Sequence, residues 1–205
     1  MKKKVTSFLS VLFVLTIGIW QFIETMPNND SAIISSESTL GIDEVDLDDL
    51  PRFEKIHVSH IRSVDGDTFA FYKGDQEYRL RLLMVDTPES VKQGLSVQPY
   101  GKEASEFTKE QLVNNDVYLV FDEGEPIDNY GRFLAYVYVG ENSLQEQLLE
   151  KGLGVVRYVN TGGNSFVEEF LAAQKIAQDQ NLGVWSQAGY VTEMNNGYFR
   201  FNEIE

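Results

Sequence analysis

The order of strand and helix patterns after residue 51 limits the fold more than any other feature of the sequence. Stretches typical of strands cover residues 53–64, 68–72, 77–85, 118–121 and 133–139, and the second and third of them flank residues 73–75 as a hairpin. A helical pattern at residues 102–114 separates the third strand from the fourth. With two further helices after the fifth strand, this order predicts an α+β fold: a five-stranded barrel of the oligonucleotide-binding type (an OB-fold) with three helices.

The last two helices carry explicit start signals. Ser143 with Glu146, and Ser165 with Glu168, have the spacing of a capping box, in which a hydroxyl oxygen accepts a hydrogen bond from the third residue of the helix. Gly152 is expected to end the first of these helices, because glycine is favoured just past a helix C-terminus.

Residues 1–26 have the pattern of a signal peptide or an N-terminal membrane anchor. Three lysines at positions 2–4 precede an uncharged, apolar stretch at residues 5–23. As a helix this stretch would extend about 28 Å, close to the thickness of bilayer hydrocarbon, so either cleavage or retention as an anchor fits. The lysines favour a cytoplasmic N-terminus, so we expect a protein that is secreted or anchored to the outer face of the plasma membrane.

Charge is distributed unevenly over the rest of the chain. Residues 27–50 hold seven acids, no base and little apolar periodicity, which predicts an acidic disordered linker. Residues 51–190 are the predicted domain, and residues 191–205 a C-terminal tail. Residues 51–205 contain 14 basic and 24 acidic residues, a net charge of −10. Such a domain has no overall field to attract a polyanion, so any contact with nucleic acid needs a local cluster of positive charge.

The residue types that are missing narrow the possible chemistry. The chain has no cysteine, which excludes disulfides, thiol nucleophiles, iron–sulfur clusters and cysteine zinc sites. Its two histidines, His57 and His60, fall in one predicted strand with their side chains on opposite faces, and we interpret them as surface residues. Carboxylates and arginines remain as the candidate catalytic groups.

Three short segments place such groups at the ends of predicted strands. They read Asp-Gly-Asp-Thr at residues 65–68, Arg-Leu-Leu-Met-Val-Asp-Thr-Pro-Glu at 81–89 and Asp-Asn-Tyr-Gly-Arg at 128–132. Taken singly, each fits an ordinary turn or a surface strand. Loops at the rim of a barrel nevertheless allow charged groups to converge without being buried in its core.

Taken together and in this order, and with Tyr-Gly-Lys-Glu-Ala at residues 100–104, these segments closely resemble the staphylococcal nuclease (thermonuclease) family. The resemblance runs from about residue 53 to residue 185, and residues 86–89 are its most specific part. It implies a calcium-dependent, sugar-nonspecific nuclease that cleaves DNA and RNA to leave 3′-phosphates.

The resemblance also implies roles for individual residues. Arg81 and Arg132 would hold the scissile phosphate, and Glu89 would be the base that activates water. Asp67 and Asp86 would be carboxylate ligands of Ca²⁺, together with the backbone carbonyl of Thr87.

Further roles implied by the resemblance concern the surroundings of that site. Asp65 would support the metal ligands from behind, and Tyr130 and Tyr158 would line the substrate pocket, where phenol rings can stack on bases. Asn160 stands where the family commonly has another tyrosine, and Asn129 lacks the positive charge often found beside the first of these tyrosines.

A cation site is also expected on electrostatic grounds alone. Four carboxylates brought close together repel one another, and a dication removes that penalty. All-oxygen ligation without histidine or cysteine indicates Ca²⁺, Mg²⁺ or Mn²⁺ rather than zinc or copper. The choice of Ca²⁺ among these rests on the resemblance.

Two other classes of function remain open at this point. A non-catalytic nucleic-acid-binding or protein-binding OB-fold tethered outside the membrane would use the acids only as a solvated face. A glycoside hydrolase with an Asp/Glu pair would leave Arg81 and Arg132 without a role. For the nuclease we expect a monomer that favours single strands.

Overall fold

The computed structural model describes residues 35–90, 97–160 and 163–203, all within one structural unit, Ile34–Glu205. In chain order its strands are β1 (Ser35–Gly41), β2 (Glu54–Val58), β3 (Ile61–Ser63), β4 (Thr68–Lys73), β5 (Gln76–Leu82), β6 (Val85–Asp86), β7 (Val117–Val120), β8 (Phe133–Val139), β9 (Asn142–Ser143), β10 (Val155–Val156), β11 (Val191–Glu193) and β12 (Phe199–Phe201). The α-helices are α1 (Gly101–Asn114), α2 (Leu144–Glu150) and α3 (Val167–Gln180), with short 3-10 helices at Ile42–Glu44 and Gly183–Ser186.

The main sheet has the strand order β1-β2-β7-β8-β5-β4-β3, and β9 pairs with β8. The strand predicted at residues 53–64 is divided at Ser59 and His60, so that β2 pairs with β7 and β3 pairs with β4. Strand β3 is at the far end of this strand order, yet it follows β2 in the chain after only these two exposed residues. The sheet therefore curls back towards β2. The α+β class and the three-helix OB-type fold are confirmed, with a barrel that is interrupted rather than strictly closed.

Aromatic packing attaches the last helix to the barrel. Tyr136 on β8 contacts Phe166 and Phe170 edge-on, with ring centroids 4.7 and 5.8 Å apart. All three rings are buried. Burial of each such side chain contributes about 1.5 to 3 kcal/mol to stability, so this cluster fixes the C-terminal helix against the sheet that carries the site.

One predicted helix start is confirmed and the other is wrong. The Ser143 hydroxyl accepts a hydrogen bond from the Glu146 amide at 3.3 Å, as a cap should. The Ser165 hydroxyl instead donates to Asp122 at 2.8 Å, and α3 begins two residues later without a side-chain cap. The reason is that the Asp122 carboxylate is buried, and a buried carboxylate needs hydrogen-bond donors more than an exposed helix start needs an acceptor.

The acidic linker predicted at residues 27–50 is corrected from residue 35 onwards. There β1 pairs in parallel with β2, and Ile42, Val45 and Leu50 are buried in the main core. The Lys73 ammonium donates to the backbone carbonyls of Ile42, Asp43 and Val45 at 3.1, 3.0 and 2.6 Å. The three apolar side chains are too widely spaced to form a periodic pattern. They nevertheless pack on the barrel core, and Lys73 holds the backbone of this segment in place.

The tail predicted at residues 191–205 is likewise part of the unit as far as residue 203. Strands β11 and β12 form a hairpin, and Tyr190 stacks on Phe201 with ring centroids 5.3 Å apart. The Tyr190 hydroxyl donates to the Pro99 carbonyl at 3.0 Å. The hairpin therefore supports the segment that leads into α1.

The predictions for the histidines and the leader have different outcomes. His57 is half-buried on β2, and its Nε2 lies 3.7 Å from Asp116, whereas His60 is exposed as predicted. The leader at residues 1–26 lies outside the described residues. None of the helices within the described ranges is both long and apolar enough to cross a membrane.

Candidate active site

One cavity of about 420 Å³ brings together the candidate residues from all three charged segments. It opens where the loop before β4, strands β5 and β6, the loop before β8 and the loop after β10 meet. All nine residues that the sequence singled out line it: Asp65, Asp67, Arg81, Asp86, Thr87, Glu89, Tyr130, Arg132 and Tyr158.

Close backbone packing holds the turn at residues 65–68 against the segment after β6. A Cβ added at Gly66 would lie 2.5 Å from the Thr87 hydroxyl oxygen and 2.9 Å from the Ala104 Cβ, so only glycine fits there. The Thr108 hydroxyl on α1 also donates to the Gly66 carbonyl at 2.6 Å. Helix α1 thereby fixes the turn that presents Asp67.

Arg81 joins the two carboxylates that the sequence proposed as metal ligands. Its Nη2 lies 3.1 Å from Asp67 Oδ2 and 2.6 Å from Asp86 Oδ1, while its Nη1 donates to the Val85 carbonyl at 3.2 Å. Residue 81 pairs with residue 68 between β4 and β5, which places its guanidinium beside Asp67. Because both carboxylates contact the same nitrogen, their oxygens converge on one point.

The environment of Asp86 and of Asp65 disfavours the charged form of each carboxyl. Burial raises the pKa of Asp86, and the nearby Asp67 carboxylate raises it further, against partial compensation from Arg81 and Arg157. Burial also raises the pKa of Asp65, which hydrogen bonds from Ser90 offset in part. Both carboxyls therefore hold a proton more readily than an ordinary aspartate does.

Asp65 fixes the loop that follows the metal-ligand candidates. Its Oδ1 accepts hydrogen bonds from the Ser90 hydroxyl at 2.5 Å, the Gly66 amide at 2.8 Å and the Ser90 amide at 3.3 Å. Through Ser90 this carboxylate positions Glu89, the adjacent residue in the chain. These bonds fix the loop at Ser90, and the predicted support of the metal ligands by Asp65 stays a prediction.

Glu89 lies on the cavity wall, and its backbone is hydrogen-bonded to Gln98. Its backbone amide donates to Gln98 Oε1 at 2.8 Å, and its carbonyl accepts from the Gln98 amide at 3.0 Å. The side chain is half-buried. These bonds restrain the Glu89 backbone independently of Asp65.

Arg132 is held by a carboxylate on its own loop. Its Nε and Nη2 lie 2.8 and 2.7 Å from Asp128 Oδ2. Asp128 Oδ1 accepts from the backbone amides of Tyr130 and Arg132 at 2.8 and 3.0 Å. Burial raises the pKa of Asp128, but these hydrogen bonds lower it by more, so the net pKa is below the ordinary value and the acid is ionised at neutral pH.

A third arginine lies behind the carboxylates. Arg157 Nη1 is 2.7 Å from Asp86 Oδ2, and its guanidinium carbon lies 4.5 Å from the centre of the Tyr158 ring. The Arg81 guanidinium carbon is 4.8 Å from the same ring centre. Tyr158 therefore contacts two cations that both bind Asp86.

Comparison with known proteins identifies the family. The sequence profile described as "Staphylococcal nuclease homologue" matches residues 79–187, more than half of the chain. The chain belongs to the staphylococcal nuclease family. The match includes Arg81, Asp86, Thr87, Glu89 and every candidate that follows them in the sequence.

Three proteins named as nucleases are similar to the chain over 47 to 73% of their own length. The chain is 41% identical over 143 residues to the endonuclease YncB of Bacillus subtilis (strain 168), covering 70% of this chain and 67% of that protein. It is 44% identical over 126 residues to a thermonuclease of Staphylococcus hyicus, covering 62% and 73%. Its 42% identity to the SPbeta prophage-derived endonuclease YokF of Bacillus subtilis spans 68% of this chain but only 47% of that protein.

The oxygen atoms at this site fit the calcium ion that the staphylococcal nuclease family implies. Within the described ranges no group of three or more His, Cys, Asp or Glu residues is arranged to hold a metal ion. Asp67 and Asp86 supply two carboxylates whose oxygens converge on Arg81 Nη2, and the Thr87 carbonyl would be the third protein ligand that the family implies. The Thr87 hydroxyl is buried and has no hydrogen-bond partner among the described residues, which adds an unsatisfied oxygen beside them. This all-oxygen set suits a hard dication that completes its coordination with water.

Sequence reasoning missed Asp128 and Arg157. Asp128 stood in the segment at residues 128–132, and its four-residue spacing from Arg132 was the available signal. Arg157 had no local signal, because only the pairing of β10 with β6 brings it beside Asp86. Asn129 and Asn160, the two departures from the family pattern, both lie on the cavity wall.

Proposed function

We propose that this protein is an exported, calcium-dependent, sugar-nonspecific nuclease that hydrolyses DNA and RNA phosphodiesters to 3′-phosphate products. The observation that carries the proposal is that Arg81, Arg132 and Glu89 line the same cavity as the paired carboxylates Asp67 and Asp86. Nuclease activity is supported by the family membership and by the relatives named endonuclease and thermonuclease.

The two arginines would bind the phosphate whose ester is cut. Forked guanidinium groups match phosphate oxygens and neutralise the charge that gathers on them in the transition state. Asp67 and Asp86 restrain Arg81, and Asp128 restrains Arg132, before any substrate arrives. Little reorganisation is then needed during the reaction, which is the condition under which such donors lower a barrier most.

Glu89 would act as the general base. It accepts a proton from a water molecule as the water oxygen forms a bond to phosphorus. The bond between phosphorus and the 5′ oxygen breaks, the 5′ oxygen takes up a proton from solvent water, and the phosphate remains on the 3′ side. Asp65 would assist by holding Ser90 and, through it, the backbone beside Glu89.

Asp67, Asp86 and the Thr87 carbonyl would hold the calcium ion. When bound, a calcium ion acts as a Lewis acid that neutralises charge on the phosphate oxygens. The carboxylates also gain from its presence, because their own repulsion and burial penalty are relieved.

The aromatic side chains at the cavity mouth favour unstacked bases as substrates. Tyr130 is 85% exposed and lies beside Arg132, with the guanidinium carbon 5.4 Å from the ring centre. Tyr158 is 50% exposed and also lines the cavity. Stacking on a phenol ring does not depend on the sugar or on the base identity, so single-stranded DNA and RNA are both suitable.

Export is supported by the sequence of residues 1–26, in which three lysines precede a long apolar stretch. We propose that the nuclease domain acts outside the cell, either secreted or anchored to the outer face of the plasma membrane, and as a monomer.

The test is cleavage of single-stranded DNA and RNA by the full chain, with Ca²⁺ and with chelator. We expect Ca²⁺-dependent cleavage that falls by about two to three orders of magnitude in Arg81→Ala. Glu89→Gln should fall comparably, whereas Glu110→Gln, an exposed change on α1, should cleave as the wild type does. If the wild-type chain binds oligonucleotide or calcium but cuts nothing, the non-catalytic binding module is the correct function instead.

A further inference from the structure

Asp86 is bound on both of its carboxylate oxygens by two different arginines. Arg81 Nη2 lies 2.6 Å from Oδ1, and Arg157 Nη1 lies 2.7 Å from Oδ2. Arg81 lines the cavity, whereas Arg157 does not and reaches Asp86 from behind. Arg157 is therefore placed to act on the site through Asp86 rather than by touching substrate.

The backbone fixes Arg157 in this position. Strand β10 pairs with β6 so that residue 155 lies opposite residue 86, and the Arg157 amide donates to the Met84 carbonyl at 2.9 Å. Its side chain is 24% exposed and packs on the Tyr158 ring. A partly buried arginine with both a carboxylate and an aromatic partner keeps one geometry, unlike a solvated surface arginine.

Arg157 changes the balance of positive and negative charge around the cavity. Among the described residues, five carboxylates and two arginines line the cavity; the carboxylates belong to Asp65, Asp67, Asp86, Glu89 and Asp128. Arg157 adds a third positive charge beside this excess of acid. A dication and a phosphate respond to that charge in opposite directions, because it repels the first and attracts the second.

We propose that Arg157 is a positioning residue that sets the charge balance of the site. It holds Asp86 and Tyr158 in place, weakens the binding of a divalent cation, and strengthens the binding of the negatively charged nucleic-acid backbone. This inference rests on the proposed nuclease function and assigns to it a residue outside the cavity lining. A purely structural role would make a different prediction, since loosening the site would weaken both kinds of binding.

The experiment compares Arg157→Gln with the wild-type full chain in two binding measurements that do not depend on cleavage. Calcium binding is measured by isothermal titration calorimetry, and binding of a single-stranded oligothymidylate by fluorescence anisotropy in the presence of chelator. We expect the Kd for calcium to fall about three- to fivefold and the Kd for the oligonucleotide to rise by a similar factor, the scale of one partly exposed ion pair. Arg157→Lys keeps the charge and should stay nearer the wild type in both.

Arg79→Gln is the matched control, because it makes the same charge change at an exposed position on β5 that does not line the cavity. Because salt screens an exposed charge, Arg79→Gln should leave the Kd for calcium and the Kd for the oligonucleotide within about twofold of the wild type. Thermal unfolding of each variant shows whether the fold is retained.

Opposite shifts in the two constants support the proposal. Weakening of both ligands by Arg157→Gln, no change in either, or equal shifts in Arg79→Gln would overturn it. A wild-type chain that binds calcium and oligonucleotide but never cleaves would refute the proposed nuclease function alone, since the opposite shifts would still be measurable. A wild-type chain that does not bind calcium would refute both.

Discussion

Asp128 holds the Arg132 guanidinium with one carboxylate oxygen and the intervening turn with the other. Oδ2 lies 2.8 and 2.7 Å from Arg132 Nε and Nη2, while Oδ1 accepts from the Arg132 amide at 3.0 Å. The same acid therefore controls both the backbone and the side chain of a residue proposed to bind phosphate. The negative charge of Asp128 repels the phosphates of a substrate. Any benefit of Asp128 to catalysis must therefore come from positioning Arg132.

Asp128→Ala should lower kcat/KM by about ten- to a hundredfold, because Arg132 loses its orientation even though a negative charge has been removed from the cavity. Steady-state kinetics on single-stranded DNA measure this change. Asp75→Ala, in the exposed turn between β4 and β5, is the control and should be neutral. An increase in activity for Asp128→Ala would show that electrostatic repulsion of the substrate outweighs positioning.

Lys73 binds the segment that precedes the barrel through three backbone carbonyls, those of Ile42, Asp43 and Val45. Lys73→Met keeps the length of the side chain but leaves these carbonyls without their donor. We expect a loss of about 1 to 3 kcal/mol in the free energy of unfolding, measured in urea. Hydrogen exchange should accelerate at residues 42–50 more than in β7 and β8. Lys102→Met, an exposed change on α1, is the control, and unchanged exchange at residues 42–50 would contradict the prediction.

What the sequence could predict differs between local and long-range features. Residues 133–139 were predicted as a strand with the bounds that the structure has, because an apolar stretch of that length is a local signal. The Ser143 cap is local in the same way. The Ser165 cap failed because Asp122, far away in sequence, binds that hydroxyl.

The site shows the same division. Eight of the nine candidate residues fall in three short segments whose combination and order resemble the family, and all nine line the cavity. Arg157 was missed because its partner Asp86 lies 71 positions away. The packing of residues 42–50 was missed for a similar reason: Lys73, which binds the backbone at residues 42, 43 and 45, lies 28 to 31 positions further along the chain.

Glu146 gives a pH-dependent contribution to stability that can be tested apart from the active site. Burial raises the pKa of Glu146, and the charges of Glu150 and Glu169 raise it further. A folded-state pKa above the unfolded value means that the folded protein binds this proton more tightly. The contribution of Glu146 is therefore most favourable at pH values below its ordinary pKa and is lost as pH rises through the raised value.

Glu146→Gln should accordingly be more stable than the wild type at pH 7. The difference should shrink as pH falls through the raised pKa and disappear below about 4.5, the ordinary value. Urea unfolding at a series of pH values measures it, with Glu110→Gln as the exposed control. A difference that grows on acidification would have the wrong sign.

The charge of the domain predicts weak and local contact with the nucleic-acid backbone. With a net charge of −10 over residues 51–205, log affinity should fall with log salt less steeply than for about six phosphate contacts. Asn129 is exposed on the cavity wall, next to Tyr130. Asn129→Lys should add one contact, tightening binding and steepening the slope by about 0.7 for a single strand.

Oligonucleotide binding in chelator at several salt concentrations measures both slopes. Asn114→Lys, at the exposed end of α1, makes the same charge change away from the cavity and should leave the slope unaltered. A wild-type slope equal to that for six or more contacts would mean that positive charge outside the cavity binds substrate as well.

Because Gly66 has no side chain, the turn that carries Asp67 can pack closely against the segment that carries Thr87. In Gly66→Ala the new Cβ would lie 2.5 Å from the Thr87 hydroxyl oxygen and 2.9 Å from the Ala104 Cβ, so the turn, the segment after β6 or helix α1 must move. Overpacking of this kind costs about 1 to 3 kcal/mol in the free energy of unfolding. Because movement separates Asp67 from the Thr87 carbonyl, calcium affinity should fall by a larger factor than oligonucleotide affinity measured in chelator. Gly41→Ala is the matched control, since its Cβ would meet nothing nearer than 3.7 Å. Equal losses of both affinities in Gly66→Ala would indicate general loosening of the cavity rather than displacement of the cation ligands.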